Sequence, residues 1–150
     1  MAYKGHYSPK NYKKYIGDPT KITYRSLWER KVMVEFDKNP NVIEWNSEGV
    51  IIPYYYPVDG QWHKYHVDFY VKYKTKDGNV RERLIEVKPI NQCISPKPAK
   101  TGKQSRKYYS EAYVFAKNKS KWEAAKTYAA SKNWEFIILT EKGVFNQDLS

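Results

Sequence analysis

Two short stretches carry the residue types of a hydrolytic site: Val67-Asp68-Phe69 and, one hairpin later, Ile85-Glu86-Val87-Lys88. Side chains alternate between the faces of a strand, so Glu86 and Lys88 share one face and Val87 takes the other. The face of Val87 suits a core; that of Glu86 and Lys88 does not. An Asp on the neighbouring strand then puts two carboxylates and an ammonium in one patch. Carboxylate oxygens are what hard cations such as Mg²⁺ select. A Lys beside them can orient an attacking water or balance charge on a phosphoryl group. The pattern points to metal-dependent cutting of a phosphodiester. The same tripeptide also reads as a solvated Glu-x-Lys on an edge strand, because such spacings arise by accident.

The loop between the two strands decides whether the acids meet. Asp77-Gly78 used as a two-residue type I′ turn sets Asp68 opposite Val87, on the core side. A three-residue loop, Lys76-Asp77-Gly78, with Gly78 in the left-handed region, pairs Thr75 with Asn79 and sets Asp68 opposite Glu86. The chemistry therefore requires the odd loop. The first strand is expected to run unbroken from Lys64 to Lys74. Tyr65, Val67, Phe69, Val71 and Tyr73 then fall on one face, and His66, Asp68, Tyr70 and Lys72 on the other. His66 reads either as a phosphate or metal-water contact or as a surface histidine. The partner strand spans Val80 to Lys88 and stops at Pro89.

Other elements must hold this hairpin. A helix starts near Tyr24 or Ser26, where Ser26-Leu27-Trp28-Glu29 fits a capping box. Trp28, Val32 and Phe36 form its apolar stripe. Glu29 lies about 60° from the stripe's centre at roughly 100° per residue, so it either caps the helix or reaches a site on the sheet. Asn39-Pro40-Asn41 ends the helix. Val42 to Trp45 and Gly49 to Tyr56 read as strands, with Pro53 marking an edge or a bulge. Glu48, between them, reads as solvated unless it converges on the site. After Pro89, a basic loop to about residue 106 carries Lys97, Lys100, Lys103 and Arg106, with Lys107 just beyond. It is a DNA-contacting segment or a solvated linker. One helix is expected over Tyr108–Lys117. A second is expected over Ser120–Lys132, with a Ser120/Glu123 capping box and Lys119 and Lys121 at its positive end. Trp134 to Thr140 is an apolar run expected of a strand covered on both faces, and a polar tail follows.

The chain has 150 residues and a formal charge of +11, with Lys and Arg outnumbering acids 27 to 16. Its 15 tyrosines make the surface one that attracts polyphosphate and stacks on bases, so nucleic acid is the expected partner ahead of an acidic protein. Cys93 is the only cysteine, which excludes an internal disulfide and fits a reducing compartment. With three histidines besides, a closed zinc site is not expected. No apolar run has the length of a membrane span, and Met1-Ala2-Tyr3-Lys4 does not open a signal peptide. Residues 1–22 form a Tyr- and Lys-rich arm, including Tyr3, Tyr7, Tyr12, Lys14 and Tyr15. It either grips nucleic acid or straps onto the remainder, residues 23–150, read as one domain.

The order of Glu29, Asp68, Glu86-Val87-Lys88, a helix and a strand resembles the PD-(D/E)XK nuclease superfamily. Gly17-Asp18-Pro19, Tyr24-Arg25-Ser26-Leu27-Trp28-Glu29, Trp45-Asn46-Ser47-Glu48, His66-Val67-Asp68-Phe69, Ile85-Glu86-Val87-Lys88-Pro89, Asn118-Lys119-Ser120-Lys121-Trp122 and Leu139-Thr140-Glu141 are similar to blocks of the head completion nucleases of T-even-type bacteriophages. That likeness covers nearly the whole chain. A more distant one, over residues 24–141, is to the end-cutting nuclease subunits of heteromeric transposases.

The resemblance implies an α/β fold with a restriction-endonuclease-like core, a central mixed β-sheet flanked by helices. It implies a DNA endonuclease dependent on Mg²⁺, with Mn²⁺ a possible substitute. Glu29, Asp68, Glu86 and Lys88 take the active-site positions; Asp68, Glu86, the Val87 carbonyl and Glu29 are the expected metal ligands. DNA contacts are expected from Arg25, His66, Lys97, Lys100, Lys103, Arg106, Lys107, Lys119 and Lys121. Val67 departs from the superfamily's proline, at a position that mostly shapes the strand. The implied setting is head completion after DNA packaging, with phage head or portal proteins as partners, in the host cytoplasm or the virion head. A non-catalytic DNA- or portal-binding protein that keeps the fold is the alternative from another class. A transposase-type DNA-end nuclease is a third reading.

Overall fold

The computed structural model describes residues 4–145; Tyr3 of the arm and residues 146–150 of the expected tail lie outside the described residues. The arm opens with β1 (Gly5–His6), which pairs antiparallel with β2 (Thr23–Tyr24). Between them the chain straps across the first helix, α1 (Leu27–Lys38). Buried Asp37 of α1 accepts hydrogen bonds from the Tyr7 hydroxyl at 3.0 Å and from the Lys10 and Asn11 N–H groups at 2.8 Å each. Lys14 Nζ donates to the carbonyls of Phe36, Asp37 and Asn39 at 3.4, 3.0 and 2.7 Å, satisfying the helix's C-terminal acceptors. The start of α1 is the expected capping box in outline: Ser26 Oγ accepts the Glu29 N–H at 3.1 Å, and Glu29 Oε1 accepts the Arg25 N–H at 3.2 Å.

The chain then forms β3 (Val42–Ser47) and a separate two-stranded hairpin, β4 (Ile51–Tyr56) with β5 (Gln61–His66). Next come β6 (Phe69–Lys74) and β7 (Val80–Val87), the long helix α2 (Arg106–Ser131), β8 (Glu135–Thr140) and β9 (Gly143–Val144). The main sheet has the spatial order β3-β6-β7-β8-β9 and is mixed, with β7 and β8 parallel and the other neighbours antiparallel. One face packs on α1 and the strap through Tyr7, Ile22, Met33, Phe36, Trp45, Phe69 and Ile85. The other packs on α2 and the β4–β5 hairpin through Tyr54, Tyr56, Leu84, Trp122, Ala125 and Ile138. This is the restriction-endonuclease-like arrangement, a mixed sheet between helical layers.

Four expectations are corrected. The strand expected over Lys64–Lys74 is two strands in two sheets, broken at Val67-Asp68. Tyr65 and Val67 join the α2-side core with Tyr70, whereas Phe69 and Val71 join the α1-side core. The alternation therefore slips by one residue where the chain crosses from hairpin to main sheet. Second, the face of Glu86 is core: β7 lies between β6 and β8 under α2, so Leu84 has no exposure and Glu86 only 7%. An edge-strand reading of Glu-x-Lys fails on that burial. Third, the two expected helices are one. No Gly or Pro interrupts Arg106–Ser131, Ser105 Oγ caps the helix by accepting the Tyr108 N–H at 3.0 Å, and Ser120 is interior. Lys119 and Lys121 therefore lie mid-helix, not at a positive end, and Arg106 belongs to the helix's first turn. Fourth, the tail's first residues pair as β9, Val144 opposite Leu139.

Candidate active site

The β6–β7 loop is the three-residue one. Thr75 and Asn79 close it through an N–H to carbonyl bond of 2.8 Å, the Gly78 N–H donates to the Thr75 carbonyl at 3.0 Å, and Gly78 has φ +86°. The register that follows pairs Lys74 with Val80 and Phe69 with Ile85. One step further along that register sets Asp68 opposite Glu86, on the face of Tyr70 and Leu84. Asp68 Oδ2 accepts the Val87 N–H at 2.8 Å, which ties the crossover residue to the end of β7. Its carbonyl accepts the Glu48 N–H at 3.1 Å. Glu86 Oε2 accepts the Tyr65 hydroxyl at 2.5 Å. Lys88 follows β7 and its N–H donates to the Leu139 carbonyl of β8 at 3.0 Å.

Arg25, Glu48, Lys64, Tyr65, His66, Asp68, Glu86 and Lys121 line a cleft of about 530 Å³. Glu29 and Lys88 are not part of this lining but are near enough for their charges to act on Asp68. Burial, then the neighbouring Glu86 charge, pushes the Asp68 carboxyl up to about 8, against the opposing Val87 N–H bond. Burial also raises Glu29, opposed by its bond from the Arg25 N–H and assisted by Glu48 and Glu86. Burial lowers Lys121, while the nearby Glu86 charge works to keep it protonated. Three acids from α1, the crossover and β7 thus act on one another from separate elements.

Among the described residues, no three carboxylate, imidazole or thiol side chains stand close enough together to hold a metal ion. Asp68 and Glu86 are each turned toward a protein donor instead. Their chemistry nevertheless fits a hard divalent cation: buried oxygen donors that repel one another gain from a shared positive charge. Mg²⁺ keeps several waters, so two carboxylates and a carbonyl meet its usual demand on a protein.

The other expected site residues are dispersed. Arg25 Nη1 pairs with Glu48 Oε1 at 3.0 Å beside the cleft, and His66 is exposed on its wall. Lys97, Lys100 and Lys103 are exposed on the loop after β7. Arg106 and Lys107 open α2, where Lys107 lies 3.8 Å from Glu111. Lys121 reaches the cleft, with Nζ 5.7 Å from the Tyr65 ring centre; Lys119 is not part of its lining.

Sequence reasoning missed Tyr65 and Lys64 and left Glu48 conditional. Glu48 does converge, from a left-handed backbone with φ +56°. The turn is tight, since a Cβ on the following Gly49 would sit 2.3 Å from Asn46 Nδ2. Asn-Ser-Glu-Gly was the available signal. Tyr65 gave none, because simple alternation put it on the face away from Glu86.

A mixed sheet whose central hairpin presents Asp68 beside Glu86-Val87-Lys88 is a nuclease architecture, and the chain belongs to the TnsA-like endonuclease family: the domain described as "TnsA-like endonuclease N terminal" matches residues 39–141. That match spans β3 to β8 and includes Asp68, Glu86 and Lys88, while Glu29 precedes it. The chain is also 41% identical over 146 residues to the head completion nuclease of Enterobacteria phage T4, covering 96% of this chain and 95% of that protein. No solved structure matches the chain.

Proposed function

We propose that this endonuclease hydrolyses DNA phosphodiesters with a divalent cation, Mg²⁺ or Mn²⁺, and that it acts in phage head completion after DNA packaging. The observation that carries the chemistry is the meeting of part-buried Asp68 with buried Glu86, where desolvation and the Glu86 charge outweigh the Lys88 charge and raise the Asp68 carboxyl. Asp68 and Glu86 would be direct ligands, with the Val87 carbonyl as a third and Glu29 holding a second ion or a bound water. When present, the cation supplies Lewis acidity and charge neutralisation at the scissile phosphate. Lys88 orients the attacking water for in-line displacement and balances phosphate charge. Tyr65 fixes the Glu86 carboxylate, and Lys121 offers a half-buried ammonium to a phosphate oxygen. Lys97, Lys100 and Lys103 extend the positive surface along the DNA.

The near full-length likeness to a protein named for head completion supports the phage setting over a DNA-end nuclease of transposition. Head or portal proteins are then the expected partners, in the infected cell's cytoplasm or the virion head. Among the described residues no helix is long and apolar enough to cross a membrane. The test is digestion of linear, nicked, branched and flapped DNA by the wild type, Glu86→Gln and Lys88→Ala, with Mg²⁺, Mn²⁺ or EDTA. Cutting by the wild type alone, lost in EDTA while both variants still bind DNA, is the expected result. A wild type that binds DNA but cuts no form with either cation would return the chain to the non-catalytic DNA- or portal-binding reading.

A further inference from the structure

The β4–β5 hairpin is built from two unlike faces. Its inner face, with Ile52, Tyr54, Tyr56 and Tyr65, is buried against α2 and the sheet. The residues between these alternate outward and are all exposed, with Pro53, Tyr55 and Trp62 bordering an open groove against Glu123 and Thr127 of α2. Cross-strand pairing sets Ile51 beside His66, Pro53 beside Lys64 and Tyr55 beside Trp62 on that outer face. Trp62 is 70% exposed and Tyr55 46%, and their rings meet edge to face with centroids 5.6 Å apart. Exposed aromatic rings held rigidly on a strand pair are costly to leave in water without a use.

Two features say what the use is. The outer face carries two basic or titratable side chains, Lys64 and His66, and no acid. Those same two residues form a wall of the cleft that holds Asp68 and Glu86. The face therefore runs without interruption from the carboxylates to the rings. From His66 to Trp62 is a span of about 13 Å at about 3.3 Å per strand residue. A lysine next to flat exposed rings, leading out of the cleft, is the kind of surface that single-stranded nucleic acid uses, phosphate on the cation and bases on the rings. A duplex, with its bases stacked inside, has nothing to offer the rings.

We propose that Trp62 and Tyr55 form a stacking subsite for unpaired bases, so that the substrate class is DNA carrying a single-stranded segment next to the scissile phosphate. This rests on the DNA-nuclease reading and names the substrate of that same cleft.

The test uses the full chain and an oligo-dT probe in EDTA, with a tailed and a blunt duplex of the same sequence alongside. Trp62 emission in the wild type should be quenched on oligo-dT binding, and the quenching should vanish in Trp62→Phe. The wild type should prefer the tailed duplex, and Trp62→Ala should lower that tailed-to-blunt affinity ratio by about 5- to 150-fold, the value of stacking one base. Tyr55→Ala should lower the ratio in the same direction. Both side chains are exposed, and a thermal melt confirms that the variants fold. Oligo-dT binding that leaves Trp62 emission unchanged, or a ratio unaltered in Trp62→Ala, overturns the proposal and leaves the face to a protein partner. The two readings fail separately. Asp68→Asn should stop cutting yet keep the quenching, and a wild type that cuts nothing still reports on stacking through Trp62.

Discussion

Replacing Asp68 by asparagine should change how stability depends on pH. The folded protein holds this carboxyl at about 8, whereas an unfolded chain releases the proton near the ordinary value of 3.8. Between those values the folded state binds the extra proton, so stability falls as pH rises and levels off above the folded pKa. At about 1.4 kcal/mol per pH unit, and allowing for partial titration near 8, the loss from pH 6 to pH 8 is about 2 kcal/mol. For a chain of this size that is a drop in Tm of about 4–8 °C. Glu29, also raised by burial, contributes a slope of the same sign above its ordinary value of 4.5. The amide introduced by Asp68→Asn keeps an oxygen for the Val87 N–H but carries no titrating proton, so the variant should lose the part of the slope that Asp68 supplies. A divalent cation favours the ionised pair, so Mg²⁺ should raise the wild-type Tm more at pH 8 than at pH 6, and should scarcely move Asp68→Asn. Differential scanning fluorimetry at both pH values, in EDTA and in Mg²⁺, reads all of this. A variant with the wild-type slope and the wild-type response to Mg²⁺ would refute the claim that Asp68 is the strained carboxylate of the site.

Two further outcomes follow from particular contacts. Asp37→Ala strands two backbone N–H groups and the Tyr7 hydroxyl, and should cost about 3 kcal/mol by urea denaturation; a loss under about 0.5 kcal/mol, the level of an ordinary surface change, would show that the strap contributes nothing to folding. Tyr65→Phe removes the hydroxyl that orients Glu86 and should slow cutting about 10- to 100-fold while raising the Mg²⁺ requirement; wild-type rates at every Mg²⁺ concentration would remove Tyr65 from the site.

The hairpin loop was only half legible: Asp77-Gly78 suits a two-residue turn as well as the three-residue loop with Gly78 left-handed, and only the requirement that Asp68 face Glu86 favoured the loop that is present. The capping box at Ser26 and Glu29 was legible for a local reason. The crossover at Val67-Asp68 was not, since Tyr65, Val67, Phe69, Val71 and Tyr73 keep perfect alternation through a point where the chain changes sheets. Glu86 looked solvated because charge is read as exposure, whereas its place on a central strand depends on β8, some fifty residues later. The false break in α2 came from Ser120 and Glu123, whose spacing matches a capping box by chance inside an uninterrupted helix. Glu48 and Tyr65 reach the cleft only through the tertiary fold, so no local pattern announces both.

Anomalous diffraction from crystals soaked in Mn²⁺ tests the metal site most directly. The expected result is a peak about 2.1 Å from a carboxylate oxygen of both Asp68 and Glu86, with Glu29 in reach and the peak absent from Asp68→Ala crystals. A protein that cuts DNA with Mn²⁺ yet shows no peak between those two acids would contradict it.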